Sequence, residues 1–224
     1  MTPLLIVSPL ELETLSIKSH FEKLGRELHP IKRGPLKAFE LKKEGAYLIT
    51  GGHGKVQFAL SVQYLLQQFP QSRGVICAGC AGALSPEVQV GDLVIGLETV
   101  EHDYHLRFIQ RPQPRFKGSP EWIAQLKDHA VSSKDHSVHF GTVASGDEDI
   151  VDAERALEVR TQTGGALAVA WEGAGGARAS LWNQRPFLEI RAITDRADSE
   201  ATVNFSENLK IVMPRLAEAI IALL

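Results

Sequence analysis

Cysteine is scarce in this chain. Its 224 residues include only Cys77 and Cys80, so no disulfide framework can hold the fold together. The CxxC spacing of this pair occurs in zinc and redox sites, but a zinc site needs a second pair of ligands, and a redox CxxC normally opens a helix. Here the pair ends an apolar run, and we interpret it as two small residues packed beside a glycine-rich turn.

Long hydrophobic runs and a strong excess of one charge are also missing. No apolar stretch is long enough to cross a bilayer, and no basic segment precedes the apolar stretch near the N-terminus. A net charge of -3, from 24 basic and 27 acidic residues, gives no electrostatic footprint for nucleic acid or an anionic membrane. These absences predict a cytoplasmic protein that binds neither nucleic acid nor membrane.

The chain does contain a regular alternation of short apolar runs and amphipathic segments. The predicted strands are Leu4 to Val7, Ala46 to Thr50, Gly74 to Cys77, Asp92 to Gly96, His139 to Ala144, Leu167 to Trp171 and Phe187 to Thr194. The predicted helices are Leu10 to Leu24, Val56 to Phe69, Trp122 to Ala130, Val151 to Val159 and Phe205 to Leu224. This order predicts one α/β domain over residues 1–224 with a buried, mostly parallel sheet, and Gln110 to Pro120 as a loop within it.

Small or acidic residues follow nearly every predicted strand. They are Ser8, Gly51-Gly52, Ala78-Gly79, Ser145-Gly146-Asp147, Glu172-Gly173 and Asp195. In open parallel sheets the ligand crevice lies outside the carboxyl ends of the strands, where glycine lets the backbone approach a ligand. Six such turns together predict a small-molecule site at this edge.

Glu13 is the first candidate for chemistry at this site. Ser8 as the cap and Pro9 as the first helical residue predict a helix start. Glu13 then falls on the apolar stripe that also contains Leu10, Ile17, Phe21 and Leu24. A carboxylate on a buried stripe is costly unless it is paired or functional. The alternative, a glutamate at the rim that reaches solvent, has equal support from the residues alone.

Glu172 and Asp195 are the other two candidates. Each directly follows an apolar strand, and Glu172 precedes a helix rich in glycine and alanine. Acidic residues often cap helix N-termini, so the spacing by itself favours a capping role for both.

A family resemblance changes this balance. The matching blocks, in order along the chain, are Pro9 to Glu13, Gly51 to Val56, Ala78 to Ala83, Val90 to Val94, His102-Asp103, Ser145 to Asp147, Trp171-Glu172 and Ala192 to Asp198. In this order they resemble the nucleoside phosphorylase/hydrolase superfamily, most closely the bacterial 5′-methylthioadenosine/S-adenosylhomocysteine nucleosidases. The resemblance implies a single-domain, three-layer fold with a central mixed, mostly parallel sheet flanked by helices.

The resemblance also implies roles for individual residues. Asp195 would protonate the leaving purine and Glu13 would activate a water on the opposite face of the sugar. Glu172 would accept hydrogen bonds from the ribose hydroxyls. Gly79, Trp171 and Phe205 would line the base and sugar pocket, and Ile150 would offer backbone hydrogen bonds to the base. No metal or organic cofactor is implied.

Relatives in this family are commonly homodimers whose partner subunit closes the 5′ pocket. Tyr104 to Phe108 is the candidate segment for that contact.

Three alternatives to a 5′-methylthioadenosine/S-adenosylhomocysteine nucleosidase stay open. Asp149 stands where the nucleosidases have an aromatic residue over the purine, and Trp171 replaces a methionine, so another purine or a futalosine-type substrate is an alternative. A phosphorylase is a second alternative, although the two places where phosphorylases carry phosphate-binding arginines hold Ser8-Pro9-Leu10 and Cys77-Ala78. A non-catalytic nucleoside-binding module is a third, but it would not need Glu13 and Asp195 together.

Overall fold

The computed structural model describes residues 2–109, 111–129 and 136–224. Its strands are β1 (Leu4–Ser8), β2 (His29–Arg33), β3 (Leu36–Leu41), β4 (Ala46–Thr50), β5 (Gly74–Ala83), β6 (Leu93–Glu101), β7 (Arg115–Lys117), β8 (Val138–Ser145), β9 (Ala168–Ala170) and β10 (Phe187–Asp195). Its helices are α1 (Glu11–Lys23), α2 (Lys55–Gln68), α3 (Pro120–His129), α4 (Ala153–Gln162), α5 (Gly173–Trp182) and α6 (Ala201–Ile221).

The strands form one mixed sheet that partly closes on itself. The order is β10-β6-β8-β9-β5-β1-β4-β3-β2, and β10 also pairs with β5, so five strands make a ring from which β1 to β4 extend. The ladders from β4 through β1 and β5 to β10 are parallel, as are those from β6 through β8 to β9. The carboxyl ends of β1, β5 and β10 therefore lie at one edge of the sheet.

Helices cover both faces of this sheet, which gives the three layers expected. The apolar faces of α1, α3 and α6 pack on one side in the largest core cluster. On the other side α2 and α5 pack together around Phe58 and Phe187. The interior of the strand ring is filled by small and β-branched residues such as Ala81, Val94 and Ile193. No helix in the described ranges has the length and apolarity that crossing a membrane requires.

The seven predicted strands are all present, but three more were missed. The hairpin of β2 and β3 has a largely polar β2 at the edge of the sheet, where exposed side chains leave no apolar alternation. The third, β7, lies within the proline-rich stretch that was predicted as a loop and pairs with β6. Gln110 of that stretch and Ala130, the predicted last residue of α3, lie outside the described residues.

Three local predictions, about a turn, a cap and a buried stripe, are wrong. The Ala78-Gly79 turn is the middle of β5, which continues to Ala83 because its parallel ladder with β10 runs from Val75 to Gly82, beyond the end of its pairing with β1 at Cys77. Helix α1 begins at Glu11 with Leu10 as its N-cap residue, so Ser8 belongs to β1 and caps nothing. Leu24, predicted on the buried stripe of α1, is exposed because it follows the end of the helix.

Candidate active site

A cavity of about 380 Å³ opens at the edge of the sheet where β1, β9 and β10 end. Six of the seven site residues expected from the sequence line it: Glu13, Ile150, Trp171, Glu172, Asp195 and Phe205. They come from five different parts of the chain, and the fold brings them together at the edge that the pattern of strand ends predicts. Gly79 is the exception.

Glu13 projects from the first turn of α1 and is buried, with 2% of its surface exposed. Its Oε2 accepts a hydrogen bond of 2.8 Å from the backbone N–H of Leu10, and its Oε1 accepts one of 2.7 Å from that of Cys80. Burial raises the pKa of Glu13 from 4.5 to about 7; the two N–H donors and Arg191 oppose this rise, and Glu172 adds to it. The rim position reaching solvent is therefore wrong. A carboxyl with this pKa can exchange a proton at neutral pH.

Gly79 lies behind the cavity wall, next to the Glu13 carboxylate. A Cβ at position 79 would stand 2.8 Å from Glu13 Oε1 and 3.0 Å from an amino nitrogen of Arg191. The residue thus makes room for the carboxylate and does not itself line the cavity. The expectation that Gly79 lines the pocket is corrected accordingly.

Glu172 occupies the N-cap position of α5, but its side chain does not cap the helix. Ser145, at the end of β8, accepts the N–H of Ala174 at 2.9 Å and donates to the carbonyl of Trp171 at 2.7 Å. With the helix start satisfied by Ser145, the Glu172 carboxylate turns to the cavity. Its Oε1 accepts from Gly54 N–H and its Oε2 from Arg191, both at 3.3 Å.

Arg191 is a site residue that the sequence reasoning missed. Its side chain is 1% exposed, and it donates to Glu189 Oε1 at 2.8 Å and to the Cys80 carbonyl at 3.1 Å, besides Glu172. Glu189 in turn accepts a hydrogen bond of 2.5 Å from Thr99. The available signal was Glu189 and Arg191 at alternate positions of an apolar strand, which places both on one face.

Asp195 is the last residue of β10, well before the start of α6, so the capping alternative is wrong for it. Its carboxylate accepts hydrogen bonds from the Thr194 hydroxyl at 2.8 Å and from the Ala197 N–H at 2.9 Å. Burial raises the pKa of Asp195 despite these two donors. The shift favours the protonated form, which a general acid needs.

The rest of the cavity wall combines apolar residues with a carboxylate rim. Ile150 is buried, whereas Asp149 is exposed at the mouth, and Glu148 forms a two-pronged ion pair with Arg155 at 2.7 Å. Trp171 stacks against His53, with 4.2 Å between the ring centroids. Asp149 thus lines the cavity, and its carboxylate provides no aromatic ring on which a purine could stack.

Lys55, the other cation near this edge, points away from the cavity. Its Nζ pairs with Glu101 at 3.0 Å and with Asp103 at 2.5 Å. Among the described residues, Arg191 is the only arginine or lysine that lines the cavity, and it is already held by two carboxylates. The described residues also contain no cluster of His, Cys, Asp and Glu arranged to hold a metal ion.

Both cysteines lie in β5 as buried free thiols rather than in a turn. Cys77 Sγ accepts a hydrogen bond of 3.3 Å from Arg191, and Cys80 Sγ contacts Met213 Sδ at 3.6 Å. Burial raises the pKa of both thiols well above 9.0. They act as small packing residues of the site.

Comparison with known proteins agrees with this geometry. Residues 3–224 match the family model of the phosphorylase superfamily. A 5′-methylthioadenosine/S-adenosylhomocysteine nucleosidase of Geobacillus thermodenitrificans is 30% identical over 226 residues, with 98% of this chain and 94% of the relative covered. The crystal structure of the Neisseria meningitidis nucleosidase of the same name, in complex with methylthio-immucillin-A, superposes with a TM-score of 0.87 at 28% identity, covering 99% and 98% of the two chains. A futalosine hydrolase of Helicobacter pylori shares the fold, with a TM-score of 0.86 at 24% identity over 99% of this chain and 96% of that one.

Proposed function

The chain belongs to the phosphorylase superfamily, and from that premise we propose that it is a nucleosidase, an N-glycosyl hydrolase that releases the base of a purine nucleoside. The observation that carries the proposal is the meeting of two buried carboxyl groups with raised pKa values, Glu13 and Asp195, in one cavity. Titratable groups perturbed by burial within a cleft are typical of acid–base catalysis. A module that only binds nucleosides does not need two such carboxyl groups, so a non-catalytic role is the least favoured of the alternatives.

The proposed mechanism divides the chemistry between the two groups. Burial raises the pKa of Asp195 and so favours its protonated form, from which it gives a proton to N7 of the purine as the glycosidic bond stretches. Glu13, ionised in the productive form, takes a proton from a water that attacks the anomeric carbon from the opposite face. Glu172 accepts hydrogen bonds from the sugar hydroxyls and stabilises the positive charge that develops on the sugar.

Arg191 completes this arrangement as a positioning residue. It donates to Glu172 Oε2 and to the carbonyl of Cys80, whose own N–H donates to Glu13. On its other side the guanidinium donates to Glu189, which the Thr99 hydroxyl holds in place with a hydrogen bond of its own. One buried cation therefore orients the sugar-binding carboxylate and is linked through Cys80 to Glu13.

Hydrolysis is favoured over phosphorolysis by the charges around the attacking group. A phosphate dianion beside the sugar requires unneutralised positive charge or a nest of backbone donors. Here the two N–H groups at the start of α1 and in β5 are taken by Glu13 itself, and Arg191 is paired with Glu172 and Glu189. A carboxylate in that position repels phosphate and activates water.

The proposed substrate is a 5′-substituted purine nucleoside of the 5′-methylthioadenosine/S-adenosylhomocysteine type. The names of the relatives at 28–30% identity support this class. Asp149 at the cavity mouth favours a second candidate, a purine or 5′ group different from that of the nucleosidases, of which a futalosine is one.

We propose further that the protein is a homodimer that acts in the cytoplasm. Tyr104, Leu106 and Phe108 are exposed apolar residues on one segment, and the Phe108 side chain is fully exposed. Such a patch on a single chain is typical of an interaction surface. In sedimentation experiments the wild type should be a dimer and Phe108→Glu a monomer, with Leu157→Glu, an exposed site on α4, as the control. A monomeric wild type would contradict this proposal.

The function is tested by incubating the protein with a panel of purine nucleosides and separating the products by chromatography. The panel includes 5′-methylthioadenosine, S-adenosylhomocysteine, adenosine, inosine, guanosine and futalosine. We expect free base from at least one 5′-substituted member. Binding without release of base from any member would favour the non-catalytic module.

A further inference from the structure

His53 stands on a turn whose backbone is fixed on both sides. Gly51 N–H donates to the carbonyl of Ser8 at 2.8 Å, and Gly52 N–H to that of Pro9 at 3.0 Å. After the turn, Lys55 N–H donates to Asp147 Oδ1 at 2.7 Å. These bonds tie the turn to the end of β1, to the residue that follows it and to the loop after β8, and so they set where the His53 side chain emerges.

The two neighbours of His53 have backbone angles that favour glycine. The φ angles of Gly52 and Gly54 are +95° and +84°, a region that side chains with a Cβ rarely adopt. Gly54 N–H also donates to Glu172 Oε1. Two consecutive residues of the turn therefore contribute to the site: His53 with its side chain, and Gly54 with the N–H that binds the Glu172 carboxylate.

The imidazole of His53 lies between an aromatic ring and that carboxylate, on the wall of the cavity. One face stacks on Trp171 at 4.2 Å between centroids, with the ring planes tilted by 31°. Its Nε2 stands 3.8 Å from Glu172 Oε1. About half of the side chain is exposed, so a ligand in the cavity can reach it.

A separation of 3.8 Å is too long for a direct hydrogen bond but suits a bridging hydroxyl. A hydroxyl oxygen about 2.8 Å from each atom fits between them, donating its proton to the carboxylate and accepting one from the imidazole. A carboxylate can only accept hydrogen bonds, whereas a hydroxyl can donate one and accept others. The arrangement therefore fits an imidazole whose proton is on Nε2.

We propose that His53 binds the substrate sugar, donating from Nε2 to the same ribose hydroxyl that donates to Glu172. The inference rests on the proposed function, because it places the nucleoside's sugar between these two side chains. It adds to that function a residue that selects for the hydroxyl, since a deoxysugar leaves both polar groups without their shared partner.

The test is a cycle that combines a substitution at position 53 with removal of each hydroxyl. His53→Phe keeps a ring that can stack on Trp171 and removes the N–H, while His53→Gln restores a donor near the place of Nε2. His29→Phe, at an exposed histidine on β2, is the matched control. Each protein is assayed for kcat/KM with the ribonucleoside, 2′-deoxynucleoside and 3′-deoxynucleoside of the purine released fastest by the wild type.

We expect His53→Phe to lower kcat/KM for the ribonucleoside about tenfold, the effect of one hydrogen bond. The same variant should leave kcat/KM unchanged for one of the two deoxynucleosides, and His53→Gln should recover part of the loss. An equal loss on all three substrates would overturn the inference while leaving the nucleosidase function standing. If the wild type released base from no nucleoside, the proposed function itself would fail.

Discussion

Replacing Glu13 by glutamine should change how stability depends on pH, and the structure gives the size of the change. The native pKa of about 7, against 4.5 for an ordinary glutamate, corresponds to about 3 kcal/mol, at about 1.4 kcal/mol per pKa unit. Below pH 4.5 the carboxyl is protonated in both the native and the unfolded state and costs nothing. As the pH rises from 4.5 to about 7, the native state loses this amount of stability, because the carboxyl ionises readily in the unfolded state while burial keeps it protonated in the native state.

Glu13→Gln removes this titration and adds a cost that does not vary with pH. The amide has one acceptor oxygen for the two N–H donors of Leu10 and Cys80, so one of them loses its partner at a cost of about 1–3 kcal/mol. We therefore expect the variant to be less stable than the wild type at pH 4.5. At pH 8 the difference should have shifted in favour of the variant by about 3 kcal/mol.

Urea denaturation of both proteins between pH 4.5 and 8 measures this shift. The control is Glu11→Gln. This substitution removes the same charge from a glutamate two residues before Glu13, which is exposed and forms an ion pair with Lys37, so it should show no comparable shift. A difference between Glu13→Gln and the wild type that stays constant over the whole range would refute the reasoning. It would mean that Glu13 is not buried in the way the structure shows.

Three further predictions concern the other residues of the site. Asp195→Asn should lower kcat by roughly 10²–10⁴-fold with ligand binding retained, because the amide cannot give its proton to the base; near wild-type turnover would remove Asp195 from the mechanism. Asp149→Phe should change the ranking of adenosine-, inosine- and guanosine-type substrates in kcat/KM, and an unchanged ranking would show that position 149 does not contact the base. Glu189→Leu should lower the free energy of unfolding by up to about 3–5 kcal/mol in urea melts, since Arg191 then stays buried with Glu172 as its one remaining carboxylate partner; a cost below about 1 kcal/mol would contradict the pairing.

The fold was largely predictable because most of its strands are buried on both faces. Residues such as Leu4 to Val7 and Val75 to Cys77 form continuous apolar runs, and the amphipathic helices between the strands show the usual period. The edge hairpin could not be found in this way, because β2 is largely polar and exposed, with no apolar alternation, and β3 alternates between buried and exposed side chains only from Leu36 to Ala38. The continuation of β5 past Cys77 depends on its pairing with β10, a partner more than a hundred residues away.

The site residues that lie beside strand ends were predictable from the sequence. Those whose role depends on contacts between distant segments were not. Glu13, Glu172 and Asp195 lie beside strand ends, and the order of the matching blocks added their proposed roles. Arg191 was missed because its role depends on its ion pairs with Glu189 and Glu172, and the sequence does not show that these side chains meet. The place of Gly79 behind Glu13, and that of His53 beside Glu172, are likewise set by packing between distant segments.

Transfer of the sugar to water separates a nucleosidase from a phosphorylase, and the identity of the sugar product distinguishes the two. The protein is incubated with the nucleoside that it cleaves fastest, with and without inorganic phosphate, while proton and phosphorus NMR follow the products. We predict a rate of base release that is independent of phosphate, and a free reducing sugar as the product, because the Glu13 carboxylate occupies the donors that a phosphate would need. Release that requires phosphate and yields a sugar 1-phosphate would contradict the claim and make the protein a phosphorylase.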